Sequence, residues 1–398
     1  MKLEQEPGAL PVRAQLLHRG SRPLETVRGR FQLHVCQSLS TGTYSLALAR
    51  GDLRGGEPLL ARIHSSCVTS ETFGGCDCDC VDQLDAALEA ISREDRGAVF
   101  YLMQEGRGAG FSAKVRDRMI VQSSGHRTTT FEAYERMGLG HDHRSYAEVP
   151  PLCRHLGVSA PLRLLTNNPD KLASLQETGI EIASTAALHP AASPWNRHYI
   201  AAKARSGHAI ADPGAASVAE LPEDVSYFDP YVLAEDPTFL HVATYLLPLR
   251  RAPECGRGAA PHWFRLHAYF DLKDGVDRVV LAYGPADGAE PLVRVQHESL
   301  LERFPLADPI RRRVWDETVR RFVAHGAGYA AFVPPAGFRE DLSELPGEDE
   351  RTIALLGLHL RGRAARPLAS EADDGRLGAA LSRRGVRVLP PVSLDRAA

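Results

Sequence analysis

The sequence predicts a mixed α/β protein in which one α/β domain is followed by a degenerate second copy of the same fold. Two observations predict this class. Strand-like and helix-like segments alternate through the first half of the chain, and an ungapped repeat links the segments that begin at Arg30 and Trp263. We therefore expect a first domain at 1–205, a connector rich in Pro, Asp and Glu at 206–260, and the second copy at 261–398.

The elements of the first domain follow from hydrophobic periodicity. FQLHVCQ, YSLALAR and EPLLARIHS are predicted strands, and the third leads into a cysteine-rich segment. VDQLDAALEAISRED has helical spacing, and GAVFYLM is a buried strand that runs into the Gly-rich loop QEGRGAGF. SAKVRDRMIVQ and TTFEAYERMG are predicted helices, LRLLTNN a strand, and DKLASLQETG a helix that ends at Gly179. The segment EIASTAAL closes the domain near residue 190.

The internal repeat relates the two halves residue by residue. The aligned pairs include Phe31 with Phe264, His34 with His267, Glu57-Pro58-Leu59 with Glu290-Pro291-Leu292, and His64 with His297. Three cysteines fall on other residue types: Cys67 on Leu300, Cys78 on Arg311 and Cys80 on Arg313. The second copy is therefore predicted to keep the scaffold and to lose the thiolates.

Composition excludes several classes of protein. The formal net charge of −3 gives no basic field for nucleic acid, and no apolar run reaches the roughly 18 residues that span a membrane. The amino-terminal segment lacks the hydrophobic core of a signal peptide, so we expect a cytoplasmic protein without disulfides. The chain has 42 arginines and five lysines. We attribute this excess of arginine partly to a general compositional bias and partly to anion recognition.

The cysteines are strongly clustered. Four of the seven fall between positions 67 and 80, namely Cys67, Cys76, Cys78 and Cys80. In a reducing compartment such spacing indicates a metal site, and thiolates favour zinc or an iron–sulfur cluster. A structural zinc would use all four thiolates, whereas a catalytic zinc would use three and leave a position for water. The remaining three, Cys36, Cys153 and Cys255, are predicted to be small buried apolar residues.

Several motifs together resemble the GTP cyclohydrolase II family, whose zinc enzymes open the imidazole ring of GTP. They are ARIHSSC with the CDC and QL segment, QEGRGAGF, HDHR, LLTNNPDK and NRHYIAAKARSGH, and they cover residues 25–205. The resemblance implies one zinc ion per chain held by Cys67, Cys78 and Cys80, with Cys76 outside the family pattern. Such a zinc would activate water for attack on an electron-poor ring carbon.

The resemblance also implies roles for other residues. Asp142 matches the proton acceptor, Arg144 matches the residue described as a nucleophile toward phosphate, and Glu105 is a second carboxylate for proton delivery. The positions that match substrate contacts are Arg62, His64, Ser65, Gln83, Gly106, Arg107, Thr130, Thr166 and Lys171. The arginines and the lysine would contact phosphate through charge-assisted hydrogen bonds.

The chain departs from the family pattern at positions expected to face the base. Ser66 stands where the family has Glu, and Arg118 or Met119 stands in place of a catalytic Tyr. SSGHRTTTFEAY is about three residues longer than its counterpart. RDRM followed by TTFEAY and MGL resembles the branch of the family associated with uracil catabolism, which implies opening of the pyrimidine ring of UMP.

These observations leave three functions open. The leading hypothesis is a zinc-dependent UMP cyclohydrolase. The alternative is GTP cyclohydrolase II activity, or a variant that stops at a formamidopyrimidine, and Mg²⁺ would then accompany the triphosphate. The second alternative is a non-catalytic zinc- and nucleotide-binding regulator. We expect a small-molecule nucleotide as partner, no nucleic acid and no membrane, and a homodimer or a pseudo-dimer formed through the second copy.

Overall fold

The computed structural model describes residues 15–189, 191–214, 218–250, 260–285, 290–297, 309–333, 350–369 and 375–394. The strands of these ranges form two sheets. Cys255 and Leu300 lie outside the described residues. Within the described ranges, no helix combines the length and the apolar character needed to cross a membrane.

The first half contains seven strands and seven helices among its described residues. The strands are β1 (Leu16–Thr26), β2 (Gly29–Ser38), β3 (Tyr44–Arg50), β4 (Leu59–Ser65), β5 (Gly97–Leu102), β6 (Leu162–Leu165) and β7 (Ile182–Ala186). The helices are α1 (Val68–Glu71), α2 (Cys80–Glu94), α3 (Phe111–Ser123), α4 (Thr130–Arg136), α5 (Val149–His155), α6 (Pro169–Glu177) and α7 (Arg197–Arg205). A single 3-10 turn at Gly106–Gly108 follows β5.

The second half supplies the remaining described elements. Its strands are β8 (Tyr231–Val232), β9 (Phe239–Leu249), β10 (His262–Asp271), β11 (Val276–Tyr283), β12 (Leu292–His297), β13 (Gly328–Val333), β14 (Ala364–Ala369), β15 (Arg387–Val388) and β16 (Val392–Ser393). Its helices are α8 (Pro309–His325), α9 (Glu350–His359) and α10 (Arg376–Ser382). Arg311 and Arg313, which align with two cysteines of the first half, lie in α8.

The two sheets have the same topology. The first has the order β1-β2-β3-β5-β4-β6-β7, and the second has the order β9-β10-β11-β13-β12-β14-β15, with β8 added beside β9 and β16 paired to β14. Along each of these two orders, three antiparallel pairings are followed by three parallel pairings. Leu33 faces Leu48 in the first sheet, and the aligned Leu266 faces Leu281 in the second. The duplication predicted from the sequence is therefore confirmed.

The segment predicted as a connector differs from the prediction. Residues 206–260 contain β8 and β9, and β9 pairs along its whole length with β10. Pro and acidic residues dominate only the beginning of the segment, whereas FLHVATYLLPL at 239–249 is almost wholly apolar and buried. This strand is the counterpart of β1, so the second copy begins before residue 261.

Helix α3 joins the two copies. Its apolar residues Phe111, Val115 and Met119 lie in one core cluster with Phe73 of the first copy and with residues of the second copy, namely Leu247, Phe264, Trp315 and Phe332. The Gln122 amide accepts from the Leu246 N–H (2.8 Å) and donates to the Leu246 carbonyl (2.7 Å). The adjoining side of α3 carries Lys114 and Arg118, both buried. Lys114, Asp117 and Arg118 on this polar side line the site described next.

Candidate active site

Three cysteine thiols converge where β4 ends. Cys67 directly precedes α1, Cys80 begins α2, and Cys78 lies in the loop between these helices. Their sulfur atoms lie within 4.8 Å of one another, and the Cys67 and Cys78 sulfurs are 3.7 Å apart. A tetrahedral zinc with Zn–S bonds of about 2.3 Å separates its sulfur ligands by about 3.8 Å. The three thiols therefore fit the ion that the sequence predicts.

Cys76 is directed away from these three thiols. Its thiol donates to the Pro248 carbonyl of the second copy (3.3 Å), and the Cys76 backbone N–H donates to the same oxygen (2.9 Å). Burial raises the pKa of the Cys76 thiol to about 12. A protonated thiol bonded to a carbonyl is a structural group, consistent with the position of Cys76 outside the family pattern.

A buried lysine lies beside the thiols and was missed by the sequence analysis. The Lys114 Nζ atom is 3.0 Å from the Cys67 sulfur and 2.6 Å from Glu105 Oε1. Burial opposes the charge of Lys114, but Cys67 and Glu105 outweigh it and raise the pKa of its amine well above the ordinary value. Lys114 is therefore an ammonium group that bridges the Cys67 sulfur and the Glu105 carboxylate.

Glu105 connects the cysteine segment with the Gly-rich turn. Its carboxylate accepts from the Val68 N–H (2.8 Å) and the Gly106 N–H (3.2 Å), in addition to Lys114. Gly108 has φ +82°, and a Cβ atom there would lie 2.7 Å from the His143 carbonyl. Only glycine allows this approach, which brings the turn against the segment that carries Asp142 and Arg144.

Asp142 and Arg144 form an ion pair at the rim of the cleft. The Arg144 Nε atom lies 2.8 Å from Asp142 Oδ1, and the backbone N–H of Arg144 donates to the same oxygen (3.0 Å). Burial would raise the pKa of Asp142, but the hydrogen bonds and charge of Arg144 lower it below its ordinary value. Asp142 is thus ionised and able to accept a proton.

Two cations lie deep in the cleft without a carboxylate partner among the described residues. Arg62 donates to the Leu165 carbonyl (2.9 Å) and to the Gln83 side chain, and Lys171 donates to the Ile63 carbonyl (2.9 Å). Burial lowers the pKa of Arg62 to about 10. Burial, and then Arg62 and Arg144, hold the pKa of Lys171 well below its ordinary value. This surplus of positive charge suits an anion.

The positions expected to face the base form another part of the cleft. Arg118 pairs with the buried Asp77 (Nε to Oδ2, 3.4 Å), and its guanidinium lies 4.5 Å from the centre of the Tyr199 ring. The buried hydroxyls of Ser65 and Ser66 have no hydrogen-bond partner among the described residues. Met119 does not reach the cleft. It is fully buried against the second sheet because neighbouring helical residues point about 100° apart around the axis.

His64 contacts the buried carboxylate of Glu71. Its Nε2 atom is 2.6 Å from Glu71 Oε1, and Glu71 also accepts from the Tyr101 hydroxyl and the Cys67 N–H. Burial lowers the pKa of His64 despite the neighbouring Glu71. Glu71 was not predicted, although it lies within the cysteine-rich segment.

One cleft of about 190 Å³ brings the predicted residues together. Its walls include Arg62, His64, Ser65, Ser66, Cys67, Cys80, Gln83, Glu105, Gly106, Arg107, Arg118, Thr130, Asp142, Arg144, Thr166 and Lys171. Cys78 lies buried beside it and Met119 lies outside it. The walls also include residues that were not predicted: Lys114, Asp117, Tyr134, Asn167, Tyr199 and Lys203. A larger cavity, about 650 Å³ near Ser112 and Tyr227, contains no predicted residue.

Comparisons with known proteins point to the same half of the chain. Residues 18–187 match the family model described as GTP cyclohydrolase II. The chain is 43% identical over 188 residues to GTP cyclohydrolase-2 of Pseudomonas putida (strain W619), which covers 47% of this chain and 90% of that protein. It is 41% identical over 191 residues to GTP cyclohydrolase-2 of Teredinibacter turnerae, which covers 48% and 94%.

A solved structure shows only a weak likeness. It is RibBX, a two-domain 3,4-dihydroxy-2-butanone 4-phosphate synthase from A. baumannii, with a TM-score of 0.26 and 14% identity over 44% of this chain and 40% of that chain. A likeness of this size carries no argument about fold or function.

Proposed function

The chain belongs to the GTP cyclohydrolase II family, and from this premise we propose that its cleft binds a nucleotide and opens the base ring by hydrolysis. One observation carries the proposal. Three thiols arranged as zinc ligands adjoin a cleft that holds buried cations without carboxylate partners among the described residues. The thiols are suited to holding a zinc ion for ring opening, and the buried cations are suited to binding phosphate.

Cys67, Cys78 and Cys80 would hold the zinc ion. An ion held by these thiolates would supply activated water near neutral pH. Lys114 holds Cys67 and Glu105 in fixed positions through contacts of 3.0 Å and 2.6 Å. This arrangement keeps the wall of the cleft rigid beside the reacting ring.

The Asp142 and Glu105 carboxylates have different roles in the proposed reaction. Asp142 is ionised in the free enzyme because Arg144 lowers its pKa, so it accepts a proton before it can donate one to the departing ring nitrogen. Glu105 is already occupied by three donors. We therefore assign the mobile proton to Asp142 and a positioning role to Glu105.

The comparisons support GTP better than UMP as the substrate. The relatives described above are all named GTP cyclohydrolase-2, and none of these names mentions a pyrimidine nucleotide. Arg62, Arg144 and Lys171 would then contact the phosphates, and Mg²⁺ would accompany the triphosphate. The preference for UMP drawn from the sequence departures is not supported by these comparisons.

UMP is the second candidate, and one local observation favours it. Guanine presents two neighbouring donors that a carboxylate can accept together, whereas Ser66 offers one hydroxyl at that position. Arg118 adds a guanidinium, a pure donor that suits the carbonyl oxygens of uracil. Both changes favour recognition of a pyrimidine over guanine.

Turnover assays with the zinc-loaded full-length protein test the proposal. Formate release from GTP would establish the first candidate, and loss of the ultraviolet absorbance of uracil from UMP would establish the second. Cys78→Ala should abolish either reaction, because it removes one thiolate. If both nucleotides bind and neither is opened, the chain is a non-catalytic regulator and the proposed activity is wrong.

A further inference from the structure

Three histidines meet on the first sheet, in a cluster that the cyclohydrolase site does not use. His18 lies on β1, His34 on β2, and His155 is the last residue of α5. Each offers a ring nitrogen, and these three nitrogens lie within 4.8 Å of one another. His18 and His155 are exposed, and His34 is half-buried. None of the three lines the nucleotide cleft.

The spacing of the ring nitrogens matches that of metal ligands. His155 Nε2 and His34 Nδ1 are 3.3 Å apart, and a tetrahedral ion with metal–nitrogen bonds of 2.0–2.1 Å separates its ligands by about 3.3 Å. The His18 and His155 ring centres are 4.4 Å apart. His18 lies on the outermost strand of the sheet and is exposed, so its ring is free to turn toward a shared ion.

The second copy carries histidines at the same three places. His241 lies on β9, His267 on β10, and His359 is the last residue of α9. The two strand pairs also share an irregularity, because the register shifts directly after His18 in one and directly after His241 in the other. The three positions are therefore a feature of the duplicated scaffold, and the two copies can be compared directly.

In the second copy, each of the three histidine rings makes a hydrogen-bond contact through one of its nitrogens. The Thr244 hydroxyl lies 2.9 Å from both His241 Nε2 and His267 Nδ1, and the Tyr269 hydroxyl is 2.9 Å from His359 Nε2. These contacts give one nitrogen of each ring a hydrogen-bond partner within the second copy.

In the first copy, smaller side chains stand at the equivalent positions. The strand registers place Ser21 where the second copy has Thr244, and Cys36 where it has Tyr269. Among the described residues, the only hydrogen-bond contact of the three rings is the one between His34 and His155. Ring nitrogens of the three first-copy histidines therefore lie close together with few hydrogen-bond partners among the described residues, an arrangement that a cation can bridge.

We propose that His18, His34 and His155 bind a divalent transition-metal ion of the class that imidazole prefers, such as Zn²⁺, at a site separate from the thiolates. The ion would connect the outer strand β1 with the end of α5, and solvent would complete its coordination.

Zinc stoichiometry tests the proposal on the full-length protein. Equilibrium dialysis against Zn²⁺, followed by metal analysis, should give two ions per chain. The variants His18→Gln and His155→Gln should each lower the affinity for one of them by at least about tenfold, because loss of a ligand exceeds the usual effect of an outer partner. His325→Gln removes an exposed histidine outside the cluster and should leave both ions bound.

Cobalt separates the two sites by their ligands. Co²⁺ at the thiolate site gives strong sulfur-to-metal absorption, whereas the histidine site adds only weak ligand-field bands. The weak bands should disappear in His18→Gln while the sulfur absorption stays. One ion per chain in the wild type, or two ions in both His18→Gln and His155→Gln, would overturn the proposal. Should His155→Gln fail to fold, the exposed His18 variant decides alone.

Discussion

Lys114 shows how one side chain supports the site at the level of the residue. It contacts the Cys67 sulfur and the Glu105 carboxylate and is almost fully buried. We expect Lys114→Met to lower the free energy of unfolding by about 3–5 kcal/mol, since it leaves Glu105 as a buried charge without its cation. Urea unfolding measures the change. Lys273→Met, at an exposed lysine, should shift the value by less than about 0.5 kcal/mol, and equal effects would refute the bridge.

Lys171 predicts a dependence of nucleotide binding on pH. Its pKa is lowered by burial and by Arg62 and Arg144, and an arriving phosphate would raise it again. Between these two pKa values, binding takes up a proton, so affinity should fall as the pH rises above the pKa of the free enzyme. Calorimetry in buffers of different ionisation enthalpy measures the proton uptake. Lys171→Arg, which stays charged, should abolish the uptake, and an unchanged uptake would exclude Lys171 as its source.

The sequence predicted many of these residues but not their partners. Motifs with fixed local spacing contain the three clustered cysteines, Arg62, Lys171 and Asp142, and the structure places all of them at the cleft or directly beside it. The choice between Arg118 and Met119 depended on the rotation of α3, which a motif does not reveal. The rarity of lysine could have pointed to Lys114. This arginine-rich chain has only five lysines, and three of them line the cleft: Lys114, Lys171 and Lys203.

At the level of elements, α3 connects the two copies of the fold through hydrogen bonds and apolar contacts. The Gln122 side chain makes two hydrogen bonds with the Leu246 backbone in a buried interface. We expect Gln122→Ala to destabilise the protein by about 2–4 kcal/mol, because it leaves a buried N–H and a buried carbonyl without partners. Urea unfolding again provides the measurement. Gln176→Ala on the exposed side of α6 is the matched control, and a similar loss there would argue against a specific role for Gln122.

Element prediction succeeded where periodicity was strong. α2, α3, α4 and α6 begin and end within about two residues of the predicted bounds. β1 was not predicted, because it is an edge strand with mostly exposed, polar residues and lacks an apolar alternation. β9 was overlooked for the opposite reason, since its apolar run followed a segment rich in Pro and acidic residues. The strand forms because it pairs with β10, and local composition does not reveal this pairing.

At the level of the molecule, the second copy covers an apolar surface of the first. Phe73, Phe111 and Met119 pack in one core with the second sheet, and Trp315 donates to the Phe73 carbonyl (2.9 Å). We expect a chain of residues 1–205 to aggregate or unfold, because this surface would face water. Light scattering and circular dichroism measure the result against the full-length protein. A monodisperse, fully active fragment would refute the supporting role of the second copy.

The loop between the zinc-ligand candidates is held by the second copy through a bridge from Gly75 to Leu249 and through the Cys76–Pro248 hydrogen bond. In an assembly of separate subunits, such support would vanish whenever the subunits dissociate. Here it belongs to the same polypeptide, so the effective concentration of the supporting strand is set by covalent linkage. Specific activity should therefore stay constant when the protein is diluted. A fusion of two ancestral copies would have made this support independent of protein concentration.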